Sequence, residues 1–429
     1  MKSQKQRRFS RPSARPKGGP SAGPTGPKRP TLGPMIEVEE QVQFPAAWTW
    51  FVDELLPNLA KNRYSPRESW KGKPFTKEDA AFFSKGVEEL SDLFTEDRPT
   101  KGMVPYFQHP KYRCGYLLYF LPLQAAKFLT LLHLHPQAFE ALLKHGKKEG
   151  VLRIVDLGCG PGTASISILL ALLEAKIPAS EIPPIELHWF DTNSDIMHDG
   201  KALVEALADQ FSRLRGKVSV KVNLVPWWKA LPKIPERSGL VIMGHVLNEA
   251  TIPHQMSDPF WEPLLQNLSG AGLLIAEPAA KRSSQSLSHL RDQILEWIAG
   301  AGEEGQAAEP SQQRLWGPCL HAGRCPLADG RDWCHFSSPS RIPGKWFKYF
   351  SEGLGSERQW LKFSYLWVAS ADYLAPKRNP KERLVVSDPL GREGEAAAHL
   401  LCEPQTPRRW IAPRGARVRR GNVIKLNTE

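Results

Sequence analysis

The sequence predicts an α/β chain with a Rossmann-like sheet, a helical N-terminal domain and a cysteine-rich, metal-binding insertion, on three observations. Apolar residues recur at helical spacing through residues 37–150. From residue 151 strand-like runs alternate with helical ones, and three alternate glycines join the first strand to its helix. Strands that alternate with helices need crossover connections, hence a mostly parallel sheet with ligands at the carboxyl ends of its strands.

Residues 1–36 hold nine Lys or Arg and no acid, with seven prolines and five glycines. Those breakers disfavour the amphipathic helix of a mitochondrial transit peptide, and the segment reads as a disordered basic tail. In the helical domain, 37–150, one helix runs through 48–56 and another through 76–94, opened by Thr76-Lys-Glu-Asp79 as a capping box. Residues 115–134 are the most apolar stretch, but Pro122, Gln124 and Lys127 interrupt it. A packed helix is expected there, and no membrane partner.

The α/β domain covers 151–300, with strands at 151–157 and 185–190, a helix at 163–175, a third strand at 239–244 and a fourth at 272–276. Residues 301–344, rich in Gly, Pro, Ser and Cys, are the insertion. Residues 345–390 supply the remaining strands, at 361–370 and 383–387, and 391–429 form a C-terminal extension with one more cysteine and a basic tail. A loop as long as 301–344 is unusual in a compact domain unless something besides an apolar core orders it.

The formal net charge of +12 is carried at the ends: 407–429 hold seven Lys or Arg against Glu429, and 37–406 sum to −3. Basic ends on a near-neutral body fit a polyanion such as RNA, because each phosphate contact releases a condensed counterion. Six cysteines in 429 residues, with no apolar segment after the first methionine, argue against a secreted disulfide framework. An intracellular, reducing setting is expected.

The run Val155-Asp-Leu-Gly-Cys-Gly-Pro-Gly-Thr163 is where chemistry is expected first. Glycines at 158, 160 and 162 permit positive φ and let a ligand approach the backbone, and the helix start beyond them favours a carboxylate. Asp191, ending the next strand, is placed to accept hydrogen bonds from ribose hydroxyls. The spacing Gly-x-Gly-x-Gly, unlike the Gly-x-Gly-x-x-Gly of dinucleotide folds, and Asp156 at the strand end fit an S-adenosylmethionine loop. His245 and Asn248, just past the third expected strand, are the candidate catalytic or substrate-orienting residues; helix capping is the competing role. The aromatic runs Trp227-Trp228 and 346–350, the latter with Lys345 and Lys348, have the composition of base-stacking surfaces, but core packing is the expectation.

Cys319, Cys325 and Cys334 crowd the insertion, where a shared metal would supply folding energy. A fourth ligand is available as Cys402, giving four thiolates, or as His321 or His335, giving a Cys₃His zinc site; spacing alone does not choose. Cys114 and Cys159 read as packing residues.

The runs 155–163, Gly244-His-Val-Leu-Asn-Glu249 and Ala276-Glu-Pro278 resemble the methyltransferase-like proteins associated with assembly of the mitochondrial small ribosomal subunit, and their bacterial relatives. The resemblance spans about 111–425 and departs at Ala279, where glycine is expected after Glu-Pro. It implies a methyltransferase-like factor for assembly or translation that binds S-adenosylmethionine, the small ribosomal subunit and its rRNA. It also implies a [4Fe–4S] cluster on Cys319, Cys325, Cys334 and Cys402, whose negative charge Arg408 and Arg409 would partly offset. The setting would be a mitochondrion, or the cytoplasm of a bacterium. Two other functions compete: an active methyltransferase for an RNA base or a protein, and a zinc-bearing RNA-binding module with a vestigial glycine loop.

If the basic ends make the RNA contact, affinity for a single-stranded RNA should fall steeply as salt is raised. An affinity that does not change with salt, measured by titration at two ionic strengths, would exclude them.

Overall fold

The strand that feeds the glycine loop lies at the centre of the sheet. The computed structural model describes residues 44–95, 105–175, 177–248, 258–300, 311–339, 341–355, 360–391, 397–413, 416 and 418–426. The expected tail at 1–36 lies outside them. The main sheet comprises β1 (Leu152–Leu157), β2 (Ile185–Asp191), β3 (Val218–Leu224), β4 (Leu240–Gly244), β5 (Gly272–Pro278), β6 (Leu315–Gly317), β7 (Phe336–Pro339) and β8 (Trp360–Val368). Among the described residues their order is β3-β2-β1-β4-β5-β8-β6, with β7 also beside β8.

The first five strands are parallel, and β8 runs antiparallel to β5. That is the doubly wound sheet of the S-adenosylmethionine methyltransferase fold, as the glycine loop predicts. The chain builds from β1 outward to β3, then returns to build β4 and β5 on the other flank, so a crevice opens beyond the carboxyl ends of β1 and β4.

The central strands are nearly unbroken apolar runs, such as Leu240-Val-Ile-Met243 and Leu273-Leu-Ile-Ala276, because both faces are covered. β3 differs. Val218, Val220 and Val222 alternate with Ser219, Lys221 and Asn223 on an edge strand with one wet face, and its weak apolar signal hid it. The strand at 239–244 is therefore the fourth.

The expected loop at 301–344 contains β6 and β7, one on each side of the three cysteines, and both pair with β8. Sheet pairing thus supplies part of the order that the length of this segment demands. Residues 383–387 do not extend the main sheet. β9 (Glu382–Leu384), β10 (Ala398–Leu401), β11 (Arg408–Ile411) and β12 (Val423–Lys425) form two antiparallel pairs, β9 with β12 and β10 with β11. They enclose a small core of Val385, Leu401, Trp410, Ala412, Val418 and Ile424. Part of the expected basic tail is therefore folded, with Arg408 and Arg409 in β11 and Arg420 only 7% exposed.

In the helical layer, the segment Pro110–Leu134 has the length and apolarity to cross a membrane, but 83% of its apolar window is buried inside the protein. Ala125 and Ala126 let it approach the helix Thr163–Glu174, where the Ser167 hydroxyl donates to the Ala125 carbonyl at 3.3 Å. Two stretches of this layer widen into a π turn ahead of a proline: Phe51–Leu55 before Pro57, and Tyr116–Phe120 before Pro122. A helical proline offers no N–H to the carbonyl four residues back and collides with it, so the preceding turn opens.

The capping box is reciprocal: Asp79 N–H donates to Thr76 Oγ1 at 3.3 Å, and Thr76 N–H to Asp79 Oδ2 at 2.7 Å. The same carboxylate takes buried Lys61 Nζ at 2.7 Å. Burial opposes the charge on Asp79, but Lys61 and Thr76 together hold its carboxyl below the usual range. Asp79→Ala should cost about 3 kcal/mol in urea unfolding, since it strands a buried ammonium as well as a cap. In the native protein this contribution is present above the unfolded carboxyl pKa and is lost as pH falls through the depressed folded value.

Candidate functional site

Beyond the carboxyl ends of β1 and β4 lies a cleft of about 510 Å³. Asp156, Gly158, Gly160, Asp191, His245 and Asn248 all line it, and Gly162 does not. All three glycines have left-handed φ, of +73°, +52° and +72°. A Cβ on Gly158 would meet Val246 Cγ1 at 2.3 Å, and one on Gly162 the Trp189 ring at 2.0 Å, so both let the loop close onto its neighbours. Open space is greatest at Gly160, where the nearest atom to a Cβ is in the Phe107 ring at 3.6 Å.

Three carboxylates shape the edge of the cleft. Asp191 Oδ2 accepts the Gly160 N–H at 2.9 Å, and Oδ1 accepts those of Thr192 at 2.7 Å and Asn193 at 3.1 Å. The residue assigned to ribose is thus also the staple of the glycine loop. Burial raises its pKa, and the three backbone donors oppose that rise. Asp156, 2% exposed, accepts the Ser165 hydroxyl at 2.9 Å, and the Trp189 indole donates to the same Ser165 oxygen at 3.0 Å. Burial pushes the Asp156 carboxyl up to about 7; the charge of Asp191 adds to the rise and Ser165 opposes it.

Glu277 at the end of β5 has no exposed surface. Its Oε1 accepts the N–H groups of Val246 at 3.0 Å and Leu247 at 2.9 Å, and its Oε2 that of Asn248 at 3.1 Å. The two motifs at 244–249 and 276–278 are therefore halves of one clamp; Glu249 itself lies outside the described residues. His245 enters this turn with φ +59°, a left-handed conformation costly for a side-chain-bearing residue, and its N–H donates to the Ala276 carbonyl at 2.7 Å. Among the described residues the Gln124 Oε1, Thr163 Oγ1 and Asn248 Oδ1 atoms, all on the cleft wall, are buried without a hydrogen-bond partner. Orphaned polar atoms converging on one cleft are the mark of a polar ligand.

Sequence reasoning missed the wall contributed by the helical layer, which includes Phe107, Tyr116, Phe120, Gln124, Lys127 and Phe128. The signal was present: Gln124 and Lys127 interrupt an apolar helix because they face the cleft, and Pro122 opens the turn that carries Tyr116 and Phe120. Arg113 holds this wall in place, donating to the Phe107 carbonyl at 2.7 Å and pairing with Asp195 at 2.9 Å. Of the aromatic runs, Trp227 is buried against the loop while Trp228 lines the cleft, and Trp346, Phe347 and Phe350 belong to the core.

Cys319, Cys325, Cys334 and Cys402 come together although Cys402 is far along the chain, whereas Cys114 and Cys159 are buried elsewhere. Burial pushes the Cys334 thiol well up, and Cys319, Cys325 and Cys402 push it further. Cys402 behaves alike, raised by burial and then by Cys319 and Cys325. Burial also raises the Cys325 thiol, and Cys319 adds to the rise while Arg291 opposes it. Of the alternative ligands, His321 Nε2 lies 3.3 Å from Cys402 Sγ, while His335 stacks on Trp333 and bonds its carbonyl at 3.1 Å.

Among the described residues no group of three or more His, Cys, Asp or Glu side chains is arranged to hold a metal ion. The cations beside the thiols are not the expected Arg408 and Arg409, which are exposed, but two buried arginines. Arg291 donates to the His321 and Gly323 carbonyls and pairs with Asp292. Burial works against its charge, which Cys319 and Asp292 more than restore. Arg420 donates to the Trp333 carbonyl at 3.1 Å and to that of Val386.

A family model described as "Mitochondrial small ribosomal subunit Rsm22" matches residues 152–422. No curated protein matches. Among solved structures, a putative class I S-adenosylmethionine-dependent methyltransferase from Listeria monocytogenes is 12% identical, over 77% of this chain and 90% of its own, with a TM-score of 0.33. The plantazolicin methyltransferase BpumL, solved with SAH, is 12% identical over 68% and 98%, at 0.29. An rRNA methylase from Streptococcus thermophilus is 13% identical over 55% and 94%, at 0.26. Such loose likenesses carry no argument, and the fold rests on the strand order.

Asp156 gives the site a pH signature. With its folded pKa raised to about 7, the native state holds a proton that the unfolded chain releases near pH 4. Its contribution is therefore full at low pH and is lost as pH rises through 7. Asp156→Asn should flatten the fall in stability between pH 5 and 7.5, read from urea midpoints, and an unchanged slope would show that the carboxyl titrates normally.

Proposed function

The chain belongs to the mitochondrial small ribosomal subunit Rsm22 family, and from that premise we propose that it binds S-adenosylmethionine in the cleft and acts at the small ribosomal subunit by contacting its rRNA. The observation that carries the cofactor reading is the set of orphaned atoms on Gln124, Thr163 and Asn248 above a left-handed glycine loop. Charge supports it. The Asp191 carboxylate makes the loop end of the cleft suited to a cationic ligand such as a sulfonium with an α-ammonium group, and unsuited to the phosphates of a dinucleotide. Gly160 leaves room against the backbone, and Asp191 Oδ2 retains a lone pair for a ribose hydroxyl beyond its bond to Gly160.

A [4Fe–4S] cluster on Cys319, Cys325, Cys334 and Cys402 belongs to the same proposal. Four cysteines, where a zinc alternative would use three and a histidine, supply the four thiolates that such a cluster takes. Two buried guanidinium groups beside the thiols, Arg291 and Arg420, suit its negative charge. Such a cluster would supply a cross-link between the sheet edge and the C-terminal strands. His245 and Asn248 are the candidates for orienting a methyl acceptor, with Asn248 better supported by its orphaned Oδ1. The family points to a mitochondrial setting in a eukaryote, and the cytoplasm serves a bacterial relative.

Anaerobically purified protein should contain about four iron and four sulfide per chain and absorb near ~400 nm, and Cys402→Ser should lose both. Stoichiometric zinc that survives this substitution would defeat the cluster. By calorimetry, Asn248→Ala should weaken S-adenosylmethionine binding about tenfold, the scale of one lost hydrogen bond to a charged group. Failure of the wild-type protein to sediment with small subunits would overturn the ribosomal role.

A further inference from the structure

We propose that Trp360, Lys362 and Arg419 form a platform for single-stranded RNA that leads to the mouth of the cleft; this rests on the RNA-contacting function argued above. Trp360 and Lys362 are two residues apart in β8, so their side chains leave the same face, while Leu361 and Phe363 between and beyond them are buried. Trp360 is 39% exposed, although most tryptophans of this chain are packed inside. The Arg419 guanidinium lies 5.6 Å from the centre of its ring. Lys362 lines the cleft itself, alongside Pro278. An arginine, an open indole and a lysine therefore follow one another toward the cofactor site.

The platform is held rigidly for a surface feature. Neighbouring arginines at the 419–422 turn point opposite ways: Arg420 is buried and tied to Trp333, Val386 and Asp332, whereas Arg419 is exposed. The Arg419 N–H donates to Asn422 Oδ1 at 2.7 Å, and Gly421 packs on Phe336 of β7, which pairs directly with β8. Arg420 thus anchors the turn that sets Arg419 over Trp360. Among the described residues neither Arg419 nor Lys362 forms an ion pair with a carboxylate, which leaves both charges for phosphates. The exposed part of the indole, beside the face that Arg419 covers, can stack an unpaired base, and a duplex keeps its base faces covered, so the occupant is single-stranded.

The test uses the full chain with a fluorescein-labelled oligouridylate of about ten nucleotides, a duplex of equal length, and a 4-thiouridine version for crosslinking. Wild type should prefer the single strand, and crosslinks should map to peptides holding Trp360 and Arg419. Trp360→Ala should weaken binding about five- to hundredfold, with Trp360→Phe restoring most of it. Arg419→Glu should weaken it too, and Lys362→Ala should lower the salt slope by about one. An unchanged urea midpoint shows that each variant is folded, and bound S-adenosylmethionine shows it again for Trp360→Ala and Arg419→Glu, which lie off the cleft wall; if Trp360→Ala is not folded, Arg419→Glu decides. Wild type that binds no RNA sinks the underlying function. Wild type that binds while these variants bind equally well, or crosslinks confined to residues 1–36, sinks the platform alone.

Discussion

A buried carboxylate at a strand end, bonded to backbone N–H groups, is the constraint on which the cleft depends. Glu277 has no water to turn to, and its two oxygens take the N–H groups of residues 246–248. Remove that anion and three donors lose their partner together, the two buried ones, Val246 and Leu247, each at a desolvation cost of about 1–3 kcal/mol. The left-handed His245 is tolerated because this clamp over-determines the turn around it. Asp191 repeats the device one flank away, where it fixes Gly160, and Asp156 repeats it at the helix start through Ser165. Loops at the carboxyl edge of a parallel sheet have no ladder to pair with, and here strand-end carboxylates replace it.

The same chemistry explains what was legible in the sequence. Central strands announce themselves because both faces are dry, and the glycine loop because only glycine meets its left-handed φ values and close approaches. Carboxylates placed at strand ends were recognisable as important, but their partners were not, since Asp191 and Glu277 serve the backbone of distant loops. β3 was hidden by its wet face, and the aromatic wall by the fact that helical periodicity marks a residue as inward-facing without saying whether core or cleft lies inside. The cysteines could be grouped by type but not their counter-charges: Arg408 and Arg409, near Cys402 in sequence, face solvent, while Arg291 reaches the thiols from a helix of the main domain.

Arg291 and Arg420 approach the thiols from separate parts of the chain, one on the helix Lys281–Gly300 and one in the turn before β12. Each is buried, and each bonds carbonyls of the cysteine-bearing segment. A buried guanidinium is expensive unless negative charge lies close by. Asp292 supplies that charge to Arg291, and Asp332 and Asp388 supply it to Arg420, so the cysteine segment is braced by two buried arginines that carry their own counter-ions.

Ala279 shows how the two sites communicate through covalent geometry. It stands where the family's pattern leads one to expect glycine, yet its φ is not left-handed, so a side chain there imposes no strain of that kind. What the position contributes is its carbonyl, which accepts the Trp333 indole N–H at 2.7 Å. Trp333 directly precedes Cys334, and Ala279 follows Pro278 on the cleft wall and Glu277 in the clamp. The lip of the cleft is therefore held from outside by the cysteine segment and from within by a buried carboxylate. Trp333 is thus joined through one hydrogen bond and two peptide units to Glu277, the residue that fixes Asn248.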